Sequence, residues 1–269
     1  MRTCFVILFA IANVSYAESS ADSPAGQMLE GAIQAYTDAL ELTEPEARLE
    51  RFTRSQRMMQ QFIAERQIAN ADLYFNLGNA ALGAQQVGRA ILAFRRALQI
   101  DPGHGKAQRN LDHVRAMLPG WIPQPQSRTL LNTFFFWHQM LSRSGRALVA
   151  ALCFAAAAVF SAIALRWRRR WARAAAVLPA VAWVVMIAFG LWTHWSNSGE
   201  EAVVTAPETI ARAADSQGAP PKFAEPIPAG TELVITRYRS DWAQVRLADG
   251  RDAWVRKSAL TEVNDLFTF

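Results

Sequence analysis

The chain has 269 residues, two cysteines and a formal net charge of +5. That excess equals the charge of five arginines in one short stretch, Arg166, Arg168, Arg169, Arg170 and Arg173, so the remainder is close to neutral. A basic face spread over a folded domain for nucleic acid is thereby excluded, and Cys4 and Cys153 lie in segments too apolar to staple a soluble domain.

Residues 1–17 read as a secretory signal peptide. Arg2 supplies the positive start, Phe5 to Val14 the apolar core, and Ser15-Tyr16-Ala17 a small-x-small cleavage site. A core of about ten apolar residues is too short to span a bilayer as a helix. Export at this point places the following segment outside the cytoplasm.

In a helical domain of residues 18–118, the stretch from Met28 to Leu118 carries apolar side chains at three- and four-residue spacing, the period of packed helices. Leu29, Ile33, Tyr36 and Leu40 line a first helix. Thr43 and Glu46 form a capping box with Pro45 in the first turn, opening a second helix that holds Leu49, Phe52, Met59, Phe62 and Ile63. Asn70 caps a third. Tyr74, Leu77, Gly78, Ala90, Phe94, Ala97 and Pro102 then fall at the offsets of one tetratricopeptide repeat, which this stretch resembles, with Ala81 in a place that often holds an aromatic. The spacing has a mechanical cause: Gly78 and Ala90 admit close approach of two helices, Tyr74 and Phe94 fill the gaps around it, and Pro102 stops the second helix. Ala32, Tyr36, Ala39 and Leu40 upstream and Asn110-Leu111 downstream echo parts of neighbouring repeats, giving a short stack of about five helices. A stack of this kind is either a docking surface for partner segments or a plain spacer.

Three prolines make residues 119–125 an extended tether. Leu130, Leu131, Phe134, Phe135, Phe136, Trp137, Met140 and Leu141 follow, too apolar for a free helix in water. They suit an amphipathic helix lying at a membrane interface, in a linking segment that covers 119–146, or a helix covered by the stack. Residues 147–165 and 174–195 are uncharged runs of about 19 and 22 residues, each long enough to cross a bilayer. The arginines of the loop 166–173 place it on the cytoplasmic side, and Trp167, Trp171, Trp192 and Trp195 suit the interfacial belts. Two spans make a hairpin, so both flanking domains face the periplasm of a bacterial inner membrane. Two buried helices of a soluble core are the alternative.

Beyond the hairpin, residues 200–263 switch to short strands at 202–205, 209–213, 232–238, 242–247 and 252–255. Asp249-Gly250 is a two-residue hairpin signal. Gly230, Asp241-Trp242, Val245, Asp249-Gly250, Trp254-Val255 and Leu260 resemble the pattern of the bacterial SH3-like domain, a small β-barrel. The residues 216–228, with four prolines and no apolar run, depart from it. Trp242, Val245, Gly250 and Trp254 belong either to the barrel core or to its ligand face.

No catalytic constellation emerges. His104, His113, His138 and His194 match no metal spacing, Asp249 and Asp252 are turn residues, and Gly78 and Gly83 do not follow a strand as a phosphate loop requires. Neither a cofactor nor a metal is expected, nor a catalytic residue. The fold class is multidomain: an all-α repeat stack, a two-helix transmembrane hairpin and a small all-β barrel. The order of parts, with Tyr74-Phe75-Asn76-Leu77-Gly78-Asn79-Ala80 and Phe135-Phe136-Trp137-His138, resembles the BatE-like family of the Bat aerotolerance operon. That resemblance implies a non-enzymatic membrane scaffold for an envelope-stress complex, with von Willebrand factor A-type proteins and a MoxR-type ATPase as partners. A sensor that binds peptidoglycan through the SH3-like domain is the second reading.

Overall fold

The computed structural model describes residues 24–125, 143–167, 170–196 and 199–269. They fall into two compact units, one formed by the chain up to 126 together with 200–269, the other by 127–199. The expected signal peptide, the aromatic segment 128–141 and the side chains of Arg166, Arg168, Arg169, Arg170 and Arg173 lie outside the described residues.

In the first unit five helices run in series: α1 (Pro24–Glu41), α2 (Pro45–Arg66), α3 (Ala71–Gly83), α4 (Val87–Ile100) and α5 (Gly105–Arg115). Proline at the first position of α2 fits its fixed φ and missing N–H to a helix start. The capping box expected from Thr43 does not form: the cap position is Glu44, and its side chain caps no backbone N–H. Asn70 does cap α3, its side-chain oxygen accepting from Leu73 N at 3.0 Å. Successive helices pack through Tyr36 edge-on to Phe52 (5.3 Å between centroids) and Phe75 against Phe94 (6.0 Å). Ser55 Oγ donates to Ala32 O at 2.7 Å, so the buried hydroxyl between α1 and α2 is satisfied.

The second half of this unit is antiparallel. Strands β1 (Glu200–Val204), β4 (Glu232–Arg239), β5 (Trp242–Leu247), β6 (Asp252–Arg256) and β7 (Leu260–Glu262) form one sheet in the order β6-β5-β4-β1-β7. The short strands β2 (Glu208–Thr209) and β3 (Ile227–Pro228) pair separately. Alternation in β5 is as the sequence pattern requires, with Ala243, Val245 and Leu247 buried and Arg246 exposed. The turn to β6 is closed by Gly250 at φ 88, which donates to Leu247 O at 2.9 Å. The strand expected over 209–213 shrinks to two residues plus a bridge from Arg212 to Trp254. Residues 216–228, which lack an apolar run, still contribute Ile227 to the core, fully buried by the β3 pairing.

The interior forms two clusters, one among the helices that also takes in Val203 and Val263, the other within the sheet. Ile122, from the proline-rich stretch expected to be a tether, is buried in the sheet core with Leu118 and Trp121 beside it, so that stretch is docked on the sheet rather than free. The first turn of α4 meets β1 at backbone distance. A Cβ on Gly88 would lie 2.6 Å from Val204 O and 3.1 Å from Gly230 N, both main-chain atoms that cannot swing aside. Gly230 itself has φ 96, a backbone conformation costly for any side chain.

The second unit is a helix pair, α6 (Arg143–Trp167) and α7 (Arg170–Ser196), packed through Phe154 and Trp183 at 5.3 Å. The two membrane spans expected at 147–165 and 174–195 are not found as such: among the described residues no helix is long and apolar enough to cross a membrane. Across those stretches Leu148, Leu152, Phe154, Val159, Val177, Leu178, Val181 and Val184 are all exposed in the pair.

Because the Gly88 contact is with backbone, Gly88→Val is expected to lower stability by about 1–3 kcal/mol through overpacking. Gly120→Ala, where a Cβ meets nothing within 4 Å, serves as the control with an unchanged midpoint in urea unfolding followed by tryptophan fluorescence.

Candidate functional site: the Tyr74 and Arg96 groove

The helices α2, α3 and α4 form a groove that the end of the described chain fills, leaving a cavity of only about 10 Å³ lined by Gln60, Leu77, Ala81, Arg89, Leu92, Ala93 and Phe269. Residues 264–269 lie against it. Leu266, Phe267 and Phe269 pack half-buried on the helical core. Tyr74 donates its hydroxyl to Leu266 O. Arg96 Nη2 donates to the carbonyls of Glu262 at 2.8 Å, Thr268 at 2.7 Å, and Asp265. Acceptors three residues apart thus converge on one nitrogen, so the segment curls around the guanidinium. The ring of Phe269 sits 5.1 Å from Arg96 Cζ, a cation–π distance. Gln99 Nε2 holds Asn264 Oδ1 at 2.8 Å.

Arg96 is fully buried, and its Nε and Nη1 have no acceptor. Burial lowers its pKa, while the nearby Tyr74 oxygen and Asp265 carboxyl oppose that shift. Burial likewise pushes Tyr74 up to about 12, with the Arg96 charge opposing and the Asp265 charge adding. A side-chain hydrogen bond from Thr268, the Phe267 N–H and the Arg96 charge hold Asp265 below the usual carboxylate range, against a desolvation that raises it.

A second polar contact ties α5 to β4. Arg115 Nε and Nη2 donate to Glu232 Oε2 and Oε1 at 2.6 and 2.7 Å, a bidentate pair with both side chains buried. Desolvation lowers the Arg115 pKa, but the Glu232 hydrogen bond and charge outweigh it and the net shift is upward. Arg95 lies 3.3 Å from the same carboxylate and also pairs with Glu201.

Of the residues singled out in the sequence, Tyr74, Leu77, Gly78, Ala90, Phe94 and Ala97 come together in the α3 and α4 packing, all buried, with the Phe94 ring where a Gly78 Cβ would stand, 2.5 Å away. Pro102 is exposed just past the end of α4. Trp242 is 9% exposed under the Arg256 guanidinium, at 5.2 Å, and Val245 is fully buried. The backbone of Trp254 is bound on both sides by Arg212, at 2.8 and 2.9 Å, and Gly250 is an exposed turn. His104 caps α5, its Nδ1 accepting from Ala107 N at 3.1 Å while Nε2 faces Asp72 at 3.1 Å. Among the described residues no three His, Cys, Asp or Glu side chains could together hold a metal ion. The sequence reading passed over Arg96, Arg115, Glu232 and residues 264–269. One signal was there to find: Arg96 follows Leu92 by four and Ala93 by three, a charge set on the apolar face of a helix.

Residues 71–104, from the first residue of α3 to the cap of α5, match the family model of the tetratricopeptide repeat. The chain carries a tetratricopeptide repeat. No curated protein and no solved structure matches it. The repeat's two helices are therefore the ones that supply Tyr74 and Arg96 to the groove.

Two predictions rest on these contacts. Removing one partner of the buried pair, as in Glu232→Leu, should cost about 3–5 kcal/mol, with the double variant Arg115→Met/Glu232→Leu recovering much of it in the same denaturant series. For pH, burial holds Tyr36 and Tyr74 protonated up to about 12 and also raises Tyr238, whose hydrogen bonds to Glu262 and Glu200 add to the shift, while Arg96 is lowered. Between the ordinary tyrosine value and about 12 the native tyrosines keep protons that the unfolded chain has lost, so stability falls as pH rises there, Arg96 acting in the opposite sense. Tyr74→Phe should make that alkaline fall shallower, as read from melting temperatures across the window.

Proposed function

We propose that this chain is a non-enzymatic adaptor that holds partner proteins on its tetratricopeptide-repeat stack at a bacterial inner membrane. The observation that carries the adaptor reading is the groove itself, where Arg96 and Tyr74 grip a polypeptide segment through its main-chain carbonyls. Main-chain recognition of this kind transfers from one peptide to another, because every residue offers the same acceptor.

Membrane attachment is the finer part of the proposal. Leu178 is 77% exposed and Leu148 62% in a two-helix unit, and apolar faces of this extent are costly in water but not in hydrocarbon. The arginines between α6 and α7 and the leader-like first 17 residues support a topology with the stack and sheet in the periplasm. The BatE-like order of parts favours membrane proteins with von Willebrand factor A domains and a MoxR-type ATPase system as the assembly served. The SH3-like pattern of 200–263 supports peptidoglycan binding less well, since Trp242 and the Trp254 backbone are engaged within the sheet.

A photo-crosslinking residue at Arg89, on the groove wall, tests the adaptor reading in intact cells. A discrete adduct with a membrane protein is expected from that position and none from exposed Arg237. Absence of any protein adduct at Arg89 would remove the adaptor reading.

A further inference from the structure

Strand β7 is an edge strand of the five-stranded sheet, and a cavity of about 510 Å³ lies beside it. That volume falls in the range of ligand sites, about 300–1,000 Å³. Leu260, Thr261 and Glu262 line it together with Arg89, Ser258 and Asp265. The charged groups around it are of both signs, so net charge selects no occupant. The main chain of β7 does.

Antiparallel pairing with β1 fixes where those main-chain groups point. Val263 N donates to Glu201 O at 2.8 Å and Thr205 N to Ala259 O at 2.9 Å, so Ala259, Thr261 and Val263 turn their amides toward β1. Leu260 and Glu262, the alternate residues, turn theirs outward. Leu260 N is used by Lys257 O, and Glu262 O by Arg96 Nη2 at 2.8 Å. Glu262 N and Leu260 O meet no hydrogen-bond partner among the described residues. An edge with open main-chain groups is a template for a further extended chain.

The two open groups decide the direction of pairing. In an antiparallel ladder an added residue exchanges both bonds with a single residue of the edge. At Leu260 the N–H is already spent on Lys257, and at Glu262 the carbonyl lies against the buried Arg96 guanidinium. In a parallel ladder one added residue donates to the carbonyl before its neighbour and accepts from the N–H after it. With Thr261 as the neighbour these are Leu260 O and Glu262 N, the pair left open.

We propose that β7 takes an extended segment of a partner protein as an added strand, parallel to itself, with one residue bridged at Thr261. A single amino-acid residue carries the N–H and the C=O that the two open groups require. The turn at Lys257–Ala259 closes the edge at one end and the curl of residues 264–269 at the other, so the added strand is a few residues long and its hold is weak and reversible. The proposal takes from the adaptor reading only that the ligand is a polypeptide, and it uses the open cavity in place of the filled groove.

The test uses the full chain in detergent micelles and an end-blocked peptide of sequence Thr-Val-Thr-Val-Thr, whose β-branched residues favour extension. It is added at about 5 mM, to suit a dissociation constant in the millimolar range. Hydrogen exchange read by NMR should find the Glu262 amide unprotected in the free chain, between protected Thr261 and Val263, and slowed about tenfold by the peptide. A nitroxide on the peptide's N-terminus should broaden Ser258, and one on its C-terminus Asp265. Unchanged exchange at Glu262, or the reverse order of broadening, overturns the proposal. Glu262→Pro, which removes the outward N–H, should weaken binding about tenfold, while Glu262→Gln, which keeps it, binds as the unaltered chain does. Equal binding by the proline variant overturns the proposal, and should that variant fail to fold, exchange and broadening on the unaltered chain decide. If the Arg89 adduct forms in cells while Glu262 exchange stays unchanged, the adaptor reading stands and this proposal falls; protection at Glu262 without the adduct means the reverse.

Discussion

A charged side chain sealed inside the helical stack sets the terms for the rest of this unit. Arg96 lies on the face of α4 that packs inward, where a guanidinium cannot reach water and needs acceptors brought to it. Those acceptors come from about 170 positions further along the chain, so the stack cannot satisfy its own core. The repeat match ends at residue 104, and the carbonyls that Arg96 binds all lie outside it. Helices and sheet are for this reason parts of one fold.

Two further contacts carry the same junction by different physics. At Gly88 the constraint is steric, because backbone meets backbone and only the absence of a side chain permits it. At Arg115 and Glu232 it is electrostatic, a bidentate pair whose burial is tolerable only while both members are present. Desolvating one charge strengthens the attraction on the other, and Arg95 adds a second cation to the same carboxylate. A junction built from a close approach, a buried pair and a curled covering segment is specific in register, since sliding by one residue breaks all three.

Much of the helical half was legible from residue spacing. Tyr74, Leu77, Gly78, Ala90, Phe94 and Ala97 are local, their partners lie within one helix pair, and short-range periodicity reports short-range packing. The Thr43 capping box failed because its neighbour Glu44 took the cap position, a choice of one residue that local patterns leave open. The β5 to β6 hairpin was legible because Asp249-Gly250 fixes its own turn, whereas Ile227 and Ile122 were not, each lying in a short proline-rich stretch whose burial depends on a distant sheet. The groove's occupant was the hardest to see. A hydrogen bond from Arg96 to Thr268 spans 172 positions and leaves no periodic trace in either segment.

The discontinuity of the first unit has a consequence for biosynthesis. Residues up to 126 and residues 200–269 belong to one body, with 127–199 inserted between them. A ribosome therefore delivers the complete stack long before the sheet, and Arg96 stays hydrated in a gaping, half-built interior until residue 268 has been translated. A nascent chain in that condition exposes the sticky inner wall of its repeat to whatever is nearby, which makes the interval before closure the moment at which a chaperone has most to offer.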